Sequence, residues 1–466
     1  MRNLIKVLVA MQVRFCTAFL IYYEEATIVN NKIIKPSILS GFMELLPKEQ
    51  IEFNRIMDII KNNYEKSGFV PIDTPVMEKS EILLAKGSEE TDKQIYRFTK
   101  GSNDISLRFD LTVPFARYAA QHMEDLVFPF RRYQIGKVYR GERNQKGRYR
   151  EFYQCDIDVI SKGELSLVND AELPSIICSI LKEIGLPAFK IHINNRKILN
   201  GFFKYLDVTD ATNVLRIVDK LDKIGEDAVS KELITIGLEA EIVDKIIAFI
   251  SIVGDKAKIL TKLKALNIEE PTFKEGLEEI EIVSHYLECY GVTEENYVID
   301  LKIARGLDYY TGTVYETILE DFKSIGSICS GGRYDNLAEY YTKEKLQGVG
   351  MSIGITRLFS QLKDIGILKE ETLPSTLTKV LVVPMDEEMD YAIAAMNKLR
   401  KEGINSEVYL EKTKFSKKLT YANNAGIPYV IIIGEEEIKS GLLTFKNMET
   451  GNQEKLSVDE ILNRVK

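Results

Sequence analysis

A chain of 466 residues, 45% hydrophobic and 28% charged, has the make-up of an ordinary globular protein and the length of about three domains. Its net charge of −8 and pI near 5.4 exclude a surface coated with non-specific nucleic-acid affinity, so any such contact must come from local patches. The five cysteines are scattered and odd in number, with no CxxC pair; they suggest neither a disulfide framework nor a zinc site, and point to a reducing, cytoplasmic compartment.

Residues 7–23, VLVAMQVRFCTAFLIYY, are mostly apolar, but Arg14 interrupts them and the run falls short of the ~20 residues a membrane span needs. Residues 1–35 are therefore expected to be a leader outside the working fold, with no membrane attachment. An over-extended reading frame is one account of it, a signal or anchor the other. Residues 45–69 carry Ile51, Phe53, Ile56, Ile59 and Ile60 at helical spacing and close on Gly68. VPIDTPVME (70–78) reads as extended, held so by its two prolines. SLRFDLTVPFARYAA (106–120) runs from a short strand into a helix. Residues 131–140 and 148–159 alternate on either side of a polar, Gly-bearing loop, the pattern of a long-looped antiparallel hairpin.

Residues 196–296 are rich in Lys, Glu, Ile and Leu at helical periodicity and read as a helical insertion. It divides one domain into 36–195 and 297–370. Strand character returns at 297–319. GVGMSIGITRLF (348–359) is a strand entering a helix, with Gly348, Gly350 and Gly354 placed to let a ligand approach the backbone closely. After a linker with Pro374, residues 376–466 alternate as a small separate α/β domain.

The chemistry gathers on the hairpin, YRGERNQKGRYREFYQCDID (139–158). Side chains on a strand alternate faces, so Arg148, Arg150, Phe152, Gln154, Asp156 and Asp158 share one face. That face runs from cations through a ring to an amide and carboxylates. It suits a ligand with an anionic end, a flat ring and a hydrogen-donating end, and the arginine fork matches phosphate oxygens. RGLDYYTGTVYE (305–316) adds an arginine and two flat tyrosines, and Arg357 stands where a strand becomes a helix. Taken singly, each cluster admits a plainer account: a solvated hairpin, a tyrosine corner, a helix-capping arginine. No GxxxxGK[ST] loop occurs, so a Walker-type phosphate site is excluded. His122, His192 and His285 are too dispersed for a metal cluster; His285 and Cys289, four apart on a helix, read as packing residues.

Together these motifs resemble the class II aminoacyl-tRNA synthetases, and most closely the histidyl-tRNA synthetases. GFVPIDTPVME (68–78), the hairpin and GVGMSIGITRLF are similar to class motifs 1, 2 and 3. LRFDLTVPFARY (107–118), DIDV and RGLDYYTGTVYE narrow the resemblance to histidine, and it covers residues 36–466. It implies an α+β fold: an antiparallel sheet flanked by helices, a helical insertion, and a C-terminal α/β anticodon-binding domain at 376–466. It also implies a homodimer, with ATP as substrate, Mg²⁺ accompanying the ATP, and L-histidine and tRNA(His) as partners. By that resemblance Arg305 and Arg140 are catalytic, and Arg140, Glu142, Phe152 and Arg357 bind ATP. Asp110, Thr112, Gln154, Asp158, Arg305, Tyr309 and Tyr310 bind histidine, Asp158 accepting from an imidazole N–H. Arg143 and Gln145 meet the tRNA acceptor end. A non-catalytic regulatory paralogue of histidine biosynthesis is the alternative; it would lack the last domain and degrade RGLDYYTG.

Overall fold

The computed structural model describes residues 34–85, 93–142, 147–303, 309–369, 371, 373–385 and 388–466, the side chains at 222 and 223 apart. Residues 34–39 carry no helix or strand, and residues 41–466 form one compact unit.

The first helix, α1 (Pro47–Lys66), starts on a proline whose missing N–H is no loss at that position. It buries Phe53, Ile56, Ile60 and Tyr64 on one stripe, and Gly68, at φ +79°, turns the chain out of it. Next come β1 (Val70–Pro71), β2 (Met77–Lys79), α2 (Ser80–Leu84), β3 (Arg97–Lys100), β4 (Asn103–Leu107) and α3 (Thr112–Gln121). The hairpin is β5 (Phe130–Tyr139) and β6 (Glu151–Lys162), followed by α4 (Val168–Ile184) and β7 (Phe189–Asn195). Seven helices, α5 to α11, occupy Arg196–Cys289 among the described residues. The chain then returns through β8 (Tyr297–Ile299), β9 (Thr313–Leu319), β10 (Cys329–Tyr334), β11 (Leu346–Ile353) and α12 (Ile355–Asp364).

These strands make an eight-stranded sheet in the order β1-β5-β6-β11-β10-β9-β7-β8. Its interior pairings are antiparallel, as expected, while both outermost pairs, β1 with β5 and β7 with β8, are parallel. One face lies on the helices: Cys155, Ile157 and Val159 of β6 are fully buried in a core shared with Ile56 of α1, Ile177 of α4 and Leu277 of α11 (Pro271–Cys289). That burial leaves the opposite face of β6 for the polar residues. Helix α11 buries Leu277, Ile280, Val283 and Leu287. This stripe leaves His285 and Cys289 exposed, so they are not the packing residues their spacing suggests.

The last domain has its own sheet: β12 (Val380–Pro384), β13 (Ser406–Val408), β14 (Tyr429–Ile433), β15 (Leu443–Asn447) and β16 (Gln453–Leu456), ordered β13-β12-β14-β15-β16. Its core, including Val380, Leu399, Ile431 and Phe445, is separate from the larger one. The final strand β16 and a helix at Val458–Val465 complete the pattern beyond what alternation alone suggested.

Candidate active site

Strand register decides which side chains meet on the open face of the large sheet. One row of directly opposed positions reads Gln134, Asp156, Ser352, Ser330, Glu316, His192; the next reads Arg132, Asp158, Gly350, Gly332, Val314, Asn194. The glycines in the second row, with Gly348 beside them, are explained by their neighbours. A Cβ on Gly350 would overlap the Asp158 carboxylate, one on Gly348 the Tyr334 ring, and one on Gly332 would stand 2.8 Å from the Tyr310 ring. Gly348 and Gly350 were expected to admit a ligand to the backbone; they make room for the protein's own Tyr334 and Asp158 instead. Gly354 does line the open cleft.

The cleft, about 320 Å³, is lined by Arg140, Glu142, Arg148, Phe152, Gln154 and Arg357, with Glu316, Ser330 and Ser352 from the neighbouring strands. Arg140 lies at the end of β5. Its Nε donates to the Phe109 carbonyl at 3.0 Å, and its guanidinium carbon is 5.1 Å from the Phe152 ring centroid. Arg148 donates to Glu142 at 2.9 Å. Arg357, on the first turn of α12, donates through Nη2 to the Ile325 carbonyl at 2.6 Å, while its buried Nε has no hydrogen-bond partner. Burial, then the like charge of Arg148, pulls the Arg357 pKa down.

Beside the cleft lies a buried carboxylate floor. Asp110, just ahead of α3, accepts from the Val113 N–H at 3.1 Å and faces the Tyr309 hydroxyl at 3.5 Å. Thr112 is hydrogen-bonded to that same hydroxyl, and Tyr310 meets Tyr309 edge-to-face with centroids 5.0 Å apart. Desolvation pushes the Asp110 carboxyl up to about 6 despite the nearby Arg140 and Arg132 cations. Asp158 is 2% exposed; its Oδ1 accepts from the Tyr334 hydroxyl at 2.8 Å and its Oδ2 lies 2.6 Å from Arg132. Arg132 is itself fully buried and lies 4.3 Å from the centroid of the Phe115 ring.

Of the residues singled out in the sequence, Arg140, Glu142, Phe152, Gln154 and Arg357 come together in the cleft. Asp110, Thr112, Tyr309, Tyr310 and Asp158 gather on the floor. Arg305, Arg143 and Gln145 lie outside the described residues. Asp158 has Tyr334 and Arg132 as neighbours, and its Oδ2 has no hydrogen-bond partner among the described residues. Sequence reasoning missed Arg132 and Tyr334, the neighbours of Asp158. The hairpin held a signal for Arg132: extending its antiparallel register from Tyr139 opposite Glu151 sets Arg132 opposite Asp158. Nothing local pointed to Tyr334, which arrives from β10.

The mostly antiparallel sheet with its ordered arginine–ring–carboxylate face, together with the separate α/β domain, defines a class II aminoacyl-tRNA synthetase. Residues 41–358 match the histidyl-tRNA synthetase family and residues 379–466 the anticodon binding domain family. The chain belongs to the histidyl-tRNA synthetase family. It is 61% identical to a histidine–tRNA ligase of Clostridium tetani, covering 93% of this chain and 99% of that one. It is 52% identical to the corresponding ligase of Clostridium acetobutylicum, covering 93% and 100%. The crystal structure of histidyl-tRNA synthetase from Nostoc sp. PCC 7120 superposes with a TM-score of 0.85 at 41% identity, covering 92% of this chain and 99% of that chain.

Proposed function

We propose that this chain joins L-histidine to tRNA(His) in two steps, and that the hairpin face divides the work between its two ends. The histidine carboxylate attacks the α-phosphorus of ATP. A phosphorus–oxygen bond forms, the bond to pyrophosphate breaks, and histidyl-adenylate remains. The terminal ribose hydroxyl of the tRNA then attacks the adenylate carbonyl, loses its proton, and AMP leaves. Neither step is limited by a difficult proton transfer, so orientation and cation placement carry most of the catalysis.

The observation that carries this reading is the juxtaposition of a cationic cleft and a carboxylate floor along one face of β6. Arg140, Glu142, Phe152 and Arg357 hold ATP, the Phe152 ring against the adenine and the guanidinium groups against the phosphates. Asp110, Thr112, Gln154, Tyr309 and Tyr310 hold histidine, with Asp158 shaping the imidazole end. Arg305 stabilises charge at the α-phosphate, and Arg143 and Gln145 meet the acceptor end of the tRNA. Residues 36–195 and 297–370 act as the catalytic core, 196–296 as an insertion, and 376–466 as the reader of the anticodon. Glu142 and Glu316 are carboxylates of the cleft, hard oxygen donors of the kind Mg²⁺ takes together with phosphates, and they would hold it. When bound, Mg²⁺ neutralises phosphate charge.

A homodimer is the working form. Its support is the edge position of β1 in the motif 1 segment, with Val70 48% exposed and Met77 57% exposed. The compartment is the cytoplasm; no described helix is long and apolar enough to cross a membrane. The match over nearly the whole of its relatives, anticodon domain included, favours the enzyme over a regulatory paralogue. Histidine-dependent pyrophosphate exchange tests the first step and charging of tRNA(His) the second. Exchange driven by another amino acid, or by none, overturns the reading.

A further inference from the structure

We propose that Arg196, the first residue of the insertion, is a positioning residue for the amino-acid site: it sets Tyr310 against histidine, and the packing of the insertion's first helix on its last sets Arg196. The inference rests on the proposal that Tyr310 holds histidine, and it gives the base of the insertion a part in the first step.

Strand β7 ends at Asn195, and α5 (Arg196–Tyr205) begins on the next residue. The Asn195 side chain caps that helix, accepting from the Lys197 N–H at 2.9 Å. Arg196 takes hold of the turn that carries Tyr310. Its backbone N–H donates to the Gly312 carbonyl at 2.9 Å, and its guanidinium Nη1 donates to the Tyr310 carbonyl at 2.8 Å. The next N–H, that of Thr311, donates to the Arg333 carbonyl at 2.8 Å. The Tyr310 ring lies against Gly332 and meets Tyr309 edge-to-face. Burial, then the charges of Asp158, Asp156 and Asp110, push the Tyr310 phenol up, so its hydroxyl stays neutral within the field of all three carboxylates. The ring that faces the carboxylate floor is therefore hung from a peptide that Arg196 holds with a charged donor, the stronger kind of hydrogen bond.

The same stretch is tied to the far end of the insertion. Two glycines let α5 cross α11 with their backbones close together. A Cβ on Gly276 of α11 would stand 2.6 Å from the Ile198 backbone nitrogen, and one on Gly201 of α5 would overlap the Phe273 backbone. Charge closes the same crossing. Lys197 Nζ donates to Glu275 at 2.7 Å and to Glu279 at 2.6 Å, and Asn195 Nδ2 donates to Glu279 at 2.7 Å. Interfaces packed this tightly do not deform continuously, so α5 moves against α11 only by breaking these contacts. Ile198 and Arg196 are two residues apart on one helix and move together. The crossing thus sets Arg196, and Arg196 sets Tyr310.

Steady-state pyrophosphate exchange on the full chain, with histidine and ATP varied in turn, reads the two sites separately. Arg196→Met is expected to raise the KM for histidine about tenfold, the range of one charged hydrogen bond, and to leave the KM for ATP within about twofold. Gly276→Ala is expected to raise the KM for histidine about threefold or more, again without moving that for ATP, because a displaced α5 carries Arg196 with it. Equal rises in both constants, or no rise for histidine, in Arg196→Met overturn the positioning role. An unchanged histidine KM in folded Gly276→Ala overturns the link to the insertion. Should Arg196→Met fail to fold, Arg196→Lys, whose shorter side chain lacks the guanidinium fork, is read in the same way. Should Gly276→Ala fail to fold, Lys197→Met, which removes the bridge to Glu275 and Glu279, takes its place. Absence of histidine-driven pyrophosphate exchange in wild type would remove the functional reading and this inference with it. Intact exchange in wild type with an unaltered histidine KM in Arg196→Met removes this inference alone.

Discussion

The two ends of the hairpin face handle charge in opposite ways. In the cleft, cations are steadied by the chain itself: Arg140 holds the Phe109 carbonyl, Arg357 the Ile325 carbonyl and Arg148 the Glu142 carboxylate. On the floor, burial lifts Asp110, Asp156 and Asp158 above the ordinary carboxylate range despite the cations that reach them. The difference suits the two ligands. ATP brings charge that is spread and partly solvated, which held arginines can meet in an open cleft. A zwitterionic amino acid brings one compact ammonium, which buried carboxylates can meet.

The largest effect should fall on the chemical step. Arg305→Ala, or Arg357→Ala in the cleft, is expected to slow pyrophosphate exchange by about 10²–10³-fold, the worth of one preorganised charge donor. Histidine binding should barely change. Equal losses in rate and in histidine affinity would erase the division between the two ends. The floor should respond in stability instead. Arg132→Met leaves Asp158 buried without its counter-ion and is expected to cost about 3–5 kcal/mol in denaturant unfolding, with much of the loss recovered in the Arg132→Met, Asp158→Asn double variant. No recovery would mean that packing against Phe115, rather than the ion pair, is what Arg132 supplies.

Phe152→Ala should raise the KM for ATP about tenfold, within the range of one base-stacking contact, and leave the KM for histidine unchanged. A shift in both would place the ring between the two sites. The smallest effect is in pH. Burial raises the carboxyl of Asp156 from 3.8 to about 7 and that of Asp110 to about 6, so the folded chain holds more protons than the unfolded one across that window. Their stabilising contribution is full below 3.8 and is lost as pH rises to about 7. The thermal midpoint of wild type should fall relative to Asp156→Asn between about pH 5 and about pH 7. A gap that grows the other way contradicts the raised carboxyls.

Legibility in the sequence followed distance along the chain. Alternation over 148–159 sorted β6 correctly: Cys155, Ile157 and Val159 went to the core, Phe152 and Gln154 to the cleft. Helical spacing marked α1 and the insertion, and the small C-terminal domain stood out by its renewed alternation. The glycines of 348–354 were visible, but the reason for two of them was not. Gly348 and Gly350 serve Tyr334 and Asp158, which lie on strands that become neighbours only when the sheet assembles.

What the sequence determined alone is thus the local order of chemical types, since a strand's period of two and a helix's of 3.6 act within a few residues. It set arginine, ring, amide and carboxylate in line along one strand face. Which groups face each carboxylate was decided by tertiary structure. Arg132 and Tyr334 reach Asp158 from β5 and β10, and Ser352 reaches Asp156 from β11, nearly two hundred residues away in the chain. Burial then raises both carboxyls above the ordinary carboxylate range, with the Arg132 cation pulling each back, because desolvation disfavours the charged form and a nearby cation favours it.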